Sequence, residues 1–148
     1  MAKRKSLADS SCPVARALDV IGDRWSLLIV RDAFDGARRF GEFQSGLGVA
    51  RNILAARLRH LVEHGILTTE PASEGGAYQD YLLTPKGEAL FGVVLSLRQW
   101  GEAQLYRRGE AHSRLLERAS GKPLPRMQPL NRDGRTLRAA DTVVKKWP

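Results

Sequence analysis

Residues 49–65 read VARNILAARLRHLVEHG. Leu54, Leu58, Leu61 and Val62 recur at helical spacing, so this segment has one apolar face. Gly65 ends it. Just upstream, residues 38–47 read RRFGEFQSGL, where Phe40, Phe43 and Leu47 share one face of a shorter helix. Gly46 and Gly48 mark the end of that helix. Two helices joined by a tight, glycine-containing turn form a helix-turn-helix unit, in which the second helix enters a DNA groove.

Working outward, ILTTEP (66–71) and YQDYLLT (78–84) are rich in β-branched and aromatic residues and flank a glycine-rich tip, ASEGGA (72–77). That is the pattern of a β-hairpin. Thr84-Pro85 opens another helix, with Thr84 as cap and Pro85 at the first helical position. Its pattern continues to Tyr106, with Leu90, Val93, Val94, Leu97 and Trp100 on one side. Toward the N-terminus, Pro13 starts a helix whose Val14, Ala17, Leu18 and Ile21 share a face, and Gly22 stops it. Asp23 then caps RWSLLIVRDAF (24–34), with Trp25, Leu28 and Ile29 facing inward.

The expected fold is therefore mainly α with a small β-hairpin (α+β), a winged helix-turn-helix. It occupies residues 12–106, after a basic arm at 1–11. A basic extension at 107–148 carries proline and the turn signals Ser120-Gly121 and Asp133-Gly134, so short strands and irregular structure are expected there.

The chain has 148 residues and net charge +8. Residues 1–106 carry 13 Lys+Arg against 12 Asp+Glu, and residues 107–148 carry 11 against 4. Nearly all the excess sits in the extension, which suits a polyanionic partner such as nucleic acid. One cysteine excludes an intrachain disulfide and fits a reducing compartment. No apolar run approaches the roughly 18 residues of a membrane span. The N-terminus lacks the apolar core of a secretory signal. The expected location is cytoplasmic, with no membrane partner.

Placing Leu54 at the centre of the buried side puts Asn52, Ala56, Arg59, His60 and Glu63 on the outer half of helix 50–64, with Ala55 at its edge. Arg51 lies in the first turn, where a long side chain still reaches outward. Arginine pairs with guanine and asparagine with adenine, while alanine methyls touch thymine. Arg51, Asn52, Ala55 and Ala56 are thus candidates for base reading, and Arg57 and Arg59 for phosphate contact. In the wing, 71–78, Gly75 and Gly76 would let backbone N–H groups approach phosphate. That tip carries Glu74 and no cation, which is unusual for a segment meeting DNA.

A different chemistry is also written into the same helix. His60-x-x-Glu63-His64 matches the inverted zincin motif, with two histidines four apart to hold zinc and a glutamate as base. A metal-dependent hydrolase would need a third ligand, from His112, Glu88, Glu102, Glu110 or Glu117. No other catalytic constellation accompanies the motif, so the expectation is no enzyme, no metal and no cofactor. A third reading is a dimeric interaction or RNA-binding module that uses the basic extension.

CPVARALDVIGDRWSLLIVRDAFDGARRFGEF (12–43), GVARNILAARLRHLVEHGIL (48–67) and YLLTPKGEAL (81–90) together resemble HxlR-type winged-helix regulators over about residues 10–105. The resemblance implies a bacterial transcription regulator acting as a homodimer on double-stranded DNA, with the first helix and the post-wing helix in the dimer interface. A small-molecule effector is a candidate modulator. In some relatives the cysteine matching Cys12 senses oxidants or electrophiles, and a thiol at a helix N-terminus feels the positive end of the dipole. With no second thiol in this chain, any Cys12 switch must act between subunits or with a small molecule. Two departures stand out. Ala50 replaces a helix-capping serine, and ASGKPLPRMQPLNRDGRTLRAADTV (119–143) lacks the cysteine pairs that some relatives carry in a C-terminal ribbon.

Overall fold

The computed structural model describes residues 4–72 and 74–147. Residues 1–3 of the expected basic arm and Ser73 of the expected wing lie outside this set. The chain divides into two compact units, one running to Val94 and the other starting at Leu95.

In the first unit the order is α1 (Pro13–Ile21), α2 (Ser26–Phe34), α3 (Phe40–Leu47), α4 (Arg51–Glu63), β1 (Leu67–Pro71), β2 (Gln79–Leu83) and α5 (Pro85–Glu88). Pro13 takes the first position of α1, after Cys12 in extended conformation. Asp23 holds the start of α2, its Oδ2 accepting the N–H groups of Trp25 and Ser26 at 2.9 Å. Ser26, Ile29 and Val30 form the buried face of α2. Leu28, expected inward, is only half-buried: the Ser26 hydroxyl donates to Asp23 Oδ1, which turns residues 26, 29, 30 and 33 toward the core instead.

The core joins α2, α3, α4 and β1 through Ile29, Val30, Phe43, Val49, Leu54, Leu58, Leu61, Ile66 and Leu67. Gly48 ends α3 in the left-handed region (φ 61°), its N–H bonded to Gln44 O at 2.9 Å. This gives the tight turn into α4. Gly65 (φ 70°) turns the chain from α4 into the hairpin.

The hairpin is antiparallel, pairing Leu67 with Leu83 and Pro71 with Gln79 at its two ends. The Tyr81 N–H donates to Arg38 O at 2.7 Å, which ties β2 to the chain entering α3. Thr84 Oγ1 accepts the Gly87 N–H at 3.1 Å and donates to Gly65 O, so it caps α5 and closes the hairpin base.

The single helix expected from Pro85 to Tyr106 is broken. After α5 the chain makes a tight turn, in which the Leu90 N–H bonds Gly87 O at 3.0 Å, and α6 (Phe91–Leu105) restarts from there. A Cβ on Gly87 would overlap the Ile66 carbonyl oxygen, so α5 is pressed onto the base of the hairpin. The turn also lets Leu90 and Val94 pack against the core.

In the second unit, the rest of α6 carries the extension on side-chain hydrogen bonds. Arg98 donates to the Ser113 carbonyl and hydroxyl at 3.1 and 3.0 Å. Gln99 donates to Pro125 O and accepts from the Met127 N–H at 3.0 and 2.7 Å. Isolated bridges join Leu116 to Pro123 and Leu130 to Thr136. A short 3-10 turn follows at Ala139–Asp141. The extension thus has the short β pairs and irregular structure that its glycines and prolines predict.

Candidate nucleic-acid interface

α4 presents its N-terminus beside α3 and the hairpin. Ala50 at its N-cap makes no side-chain hydrogen bond, as its chemistry dictates, so the first-turn N–H groups have no side-chain partner. Arg51 and Asn52 are exposed and Ala55 and Ala56 half-buried. The Arg51 guanidinium lies 4.9 Å from the centre of the Phe40 ring, a cation–π contact that orients it before any ligand arrives.

Two adjoining grooves flank this helix. The larger, about 870 Å³, is lined by Arg39, Phe40, Gln44, Ser45, Arg51, Tyr78, Gln79 and Tyr81, among others. The smaller is lined by Ala55, Arg59 and Glu63 together with Phe40, Gln79 and Tyr81. Phe40, Gln79 and Tyr81 border both. Arg51, Ala55 and Arg59 therefore stand in one row facing the hairpin, one turn apart. Asn52 and Ala56 line neither groove. Gly75 (φ 79°) and Gly76 (φ 94°) make the exposed hairpin tip, in a conformation that favours glycine.

Arg57 has another partner. Its Nη1 lies 3.5 Å from Asp23 Oδ1, which joins α4 to the start of α2. Burial pushes the Asp23 carboxyl up, but hydrogen bonds from the Ser26 hydroxyl and from the Ser26 and Trp25 N–H groups, with the Arg57 charge, outweigh it and hold it below the usual aspartate range. Glu42 is held low in the same way, chiefly by the N–H groups of Arg38 and then Arg39, at 2.7 and 3.1 Å.

His60 is half-buried rather than exposed. Its Nε2 lies 2.8 Å from Val20 O, so the ring fixes α4 against the end of α1. Its ring centre is 4.4 Å from that of His64, while Glu63 is exposed. Among the described residues, no group of three or more His, Cys, Asp or Glu is placed to hold a metal ion.

Cys12 is free and exposed at the head of α1, its N–H donating to Ser10 Oγ at 3.1 Å. The nearby Arg16 is drawn to the Ser10 carbonyl through its Nε. On α1, Val14 and Leu18 are 67 and 48% exposed, so of the apolar face read from the sequence only its C-terminal end, Ile21, is buried in a single chain. On α6, Val93, Leu97 and Trp100 are likewise exposed. No helix among the described residues is long and apolar enough to cross a membrane.

The groove contains residues that the sequence reading passed over: Arg39, Gln44, Ser45 and Tyr78. Arg39 precedes α3, where helical periodicity does not yet apply, and Tyr78 sits where the wing joins its strand. An exposed tyrosine between glycines and a strand was the available signal.

An HxlR-like helix-turn-helix family model matches residues 20–109. The chain belongs to the HxlR-like helix-turn-helix family. It is 46% identical over 94 residues to an uncharacterised HTH-type transcriptional regulator of Mycobacterium bovis, a match covering 64% of this chain and 60% of that relative's length. The crystal structure of PA1607, a candidate transcription factor, is 57% identical, with TM-score 0.91 over 95% of this chain and 98% of that one. That coverage includes most of the extension. The redox regulator HypR in its reduced form is 33% identical, with TM-score 0.59 over 64% of this chain and 94% of its own. These likenesses fix a winged-helix architecture for the HTH region.

Proposed function

We propose that this chain is a transcription regulator that binds a pseudo-palindromic DNA operator as a homodimer. Helix α4 would enter the major groove, and the hairpin tip would meet the backbone or minor groove. The observation that carries this reading is the row Arg51–Ala55–Arg59, which lines the grooves between α4 and the hairpin in a helix-turn-helix family member. Arg51 and Asn52 are the base readers, Ala55 and Ala56 allow close approach, and Arg59 meets phosphate. Arg57 contributes through the fold, because Asp23 holds it. Gly75 and Gly76 supply backbone donors at the wing.

The bare apolar faces of α1 and α6 support a dimer. Two α4 helices related by a two-fold axis would read half-sites about 10 bp, or a multiple, apart. Genomic selection followed by footprinting tests this: symmetric protection is the expected result, and no protected site would sink it.

Cys12 is the candidate point of redox modulation. Its exposure supports this, as does the likeness to HypR, whose described function is redox regulation. The nucleic-acid partner also draws support from the extension. There, among the described residues, Arg138 is the one lysine or arginine in an ion pair, with Asp141 at 3.9 Å. Replacing Arg118, Lys122 and Arg126 with glutamine should weaken duplex binding and flatten its salt dependence. If that triple replacement abolished all duplex binding, the extension and not α4 would be the nucleic-acid site.

A further inference from the structure

Arg39 lies between two carboxylates of opposite character. Asp80, on β2, is 8% exposed and its Oδ1 is 3.6 Å from Arg39 Nε. That oxygen is sheltered from solvent and has no hydrogen-bond partner among the described residues. Glu74, at the hairpin tip, has a side chain 78% exposed and places Oε2 3.1 Å from Arg39 Nη2. The inner carboxylate therefore faces the Nε edge of the guanidinium, and the outer one takes its terminal nitrogens. Arg39 lines the larger groove with Arg51, and Arg51 has no carboxylate within ion-pair distance among the described residues.

A guanidinium offers its terminal nitrogens to a phosphate as readily as to a carboxylate, often two at a time. An exposed ion pair is weak and costs little to open. Glu74 is thus chemically in the place a DNA phosphate would take, and opening that pair returns a negative charge to the surface DNA must approach. This also accounts for the acidic wing tip.

We propose that Arg39 is a phosphate-binding residue of the DNA interface, aimed from behind by Asp80, and that Glu74 occupies its phosphate-facing edge in the free protein, so that the DNA backbone and Glu74 compete for it. The inference rests on the reading of α4 and the hairpin as the DNA-binding face. Because phosphates carry no sequence, the competition acts alike on operator and random DNA. Glu74 then holds down binding across the board, and Arg39 is a general affinity contact.

The test is a double-mutant cycle on the full chain. Anisotropy titrations would use the selected operator duplex and a random duplex of equal length, between about 50 and 200 mM salt. Glu74→Gln should tighten binding to both duplexes three- to tenfold. Arg39→Gln should weaken both by a similar factor and flatten the salt slope by about one. With glutamine already at position 39, Glu74→Gln should gain distinctly less. An equal gain in both backgrounds would mean that Glu74 acts by plain repulsion, and would overturn the competition. Asp80→Asn should move binding toward the Arg39→Gln level. If it weakened binding equally in the Arg39→Gln background, Asp80 would not act through Arg39. If the parent chain bound no duplex, the DNA-binding reading itself would fail. If it bound normally and Glu74→Gln changed nothing, only this inference would fall.

Discussion

Asp23 joins two helices: it caps the start of α2 and faces Arg57 of α4 across 3.5 Å. The cap is the larger part, because it satisfies two backbone donors while the ion pair is partly open to solvent. Asp23→Ala should therefore destabilise the first unit by about 1–2 kcal/mol in urea denaturation. Arg57→Ala should cost less than about 1 kcal/mol. The reverse order would show that the pair, not the cap, holds the two helices.

The same carboxylate sets a pH dependence. Asp23 and Glu42 are both held below their ordinary ranges in the folded chain. A group depressed in the folded state stabilises it above its unfolded pKa, and that stabilisation is lost as pH falls through the folded pKa. Stability should thus hold from neutral pH down to about 5 and then decline. Asp23→Asn should start lower at pH 7 and decline less steeply in acid. A parallel decline would mean that other carboxylates dominate.

On DNA, three arginines of one helix should behave in three ways. Arg51→Ala should cost about 1–3 kcal/mol on the operator and relax preference at one base. Arg59→Ala should weaken operator and random duplexes alike and lower the salt slope by about one. Arg57→Ala should change duplex affinity least, since its guanidinium is turned to Asp23. Equal, uniform losses from Arg51 and Arg59 would contradict the assignment.

Arg57 also shows where a sequence stops being informative. The apolar stripe of α4, the turn at Gly48, the hairpin and the Thr84 cap all follow from local rules, and the structure has each of them. Helical spacing sorts residues by angle, and angle puts Arg57 nearer the buried side than Arg59; only its charge suggests a phosphate contact. The side chain that claims Arg57 comes from the turn before α2, which no spacing rule reaches. The break between α5 and α6 escaped for the same reason: the Gly87 backbone packs on the Ile66 carbonyl, a contact distant in sequence. Arg39 and Glu74 are 35 residues apart, and each alone reads as an ordinary surface charge.

The exposed face of α1 carries the next prediction. Val14 and Leu18 are one turn apart and exposed, which is costly for a helix with so regular an apolar stripe unless a partner covers it. Leu18→Glu should shift the chain from dimer to monomer in sedimentation, with its far-ultraviolet circular dichroism unchanged. Operator affinity should fall steeply, because two half-sites are then bound independently. A dimer that survives Leu18→Glu and also Trp100→Glu would exclude both helices from the interface.

Cys12 stands at the head of that same helix, exposed and without a second thiol in the chain. A disulfide there must join two subunits or take in a small thiol, and either event acts at the start of a helix that exposes Val14 and Leu18. Diamide treatment should change operator affinity at least severalfold, and dithiothreitol should restore it. A disulfide-linked dimer on non-reducing gels would identify the intersubunit bond. A mass increase matching the added thiol, with no linked dimer, would identify the mixed disulfide. Cys12→Ser should keep the untreated affinity and lose the response. If the parent chain binds its operator equally well before and after diamide, Cys12 is an inert exposed residue at a helix start and takes no part in regulation.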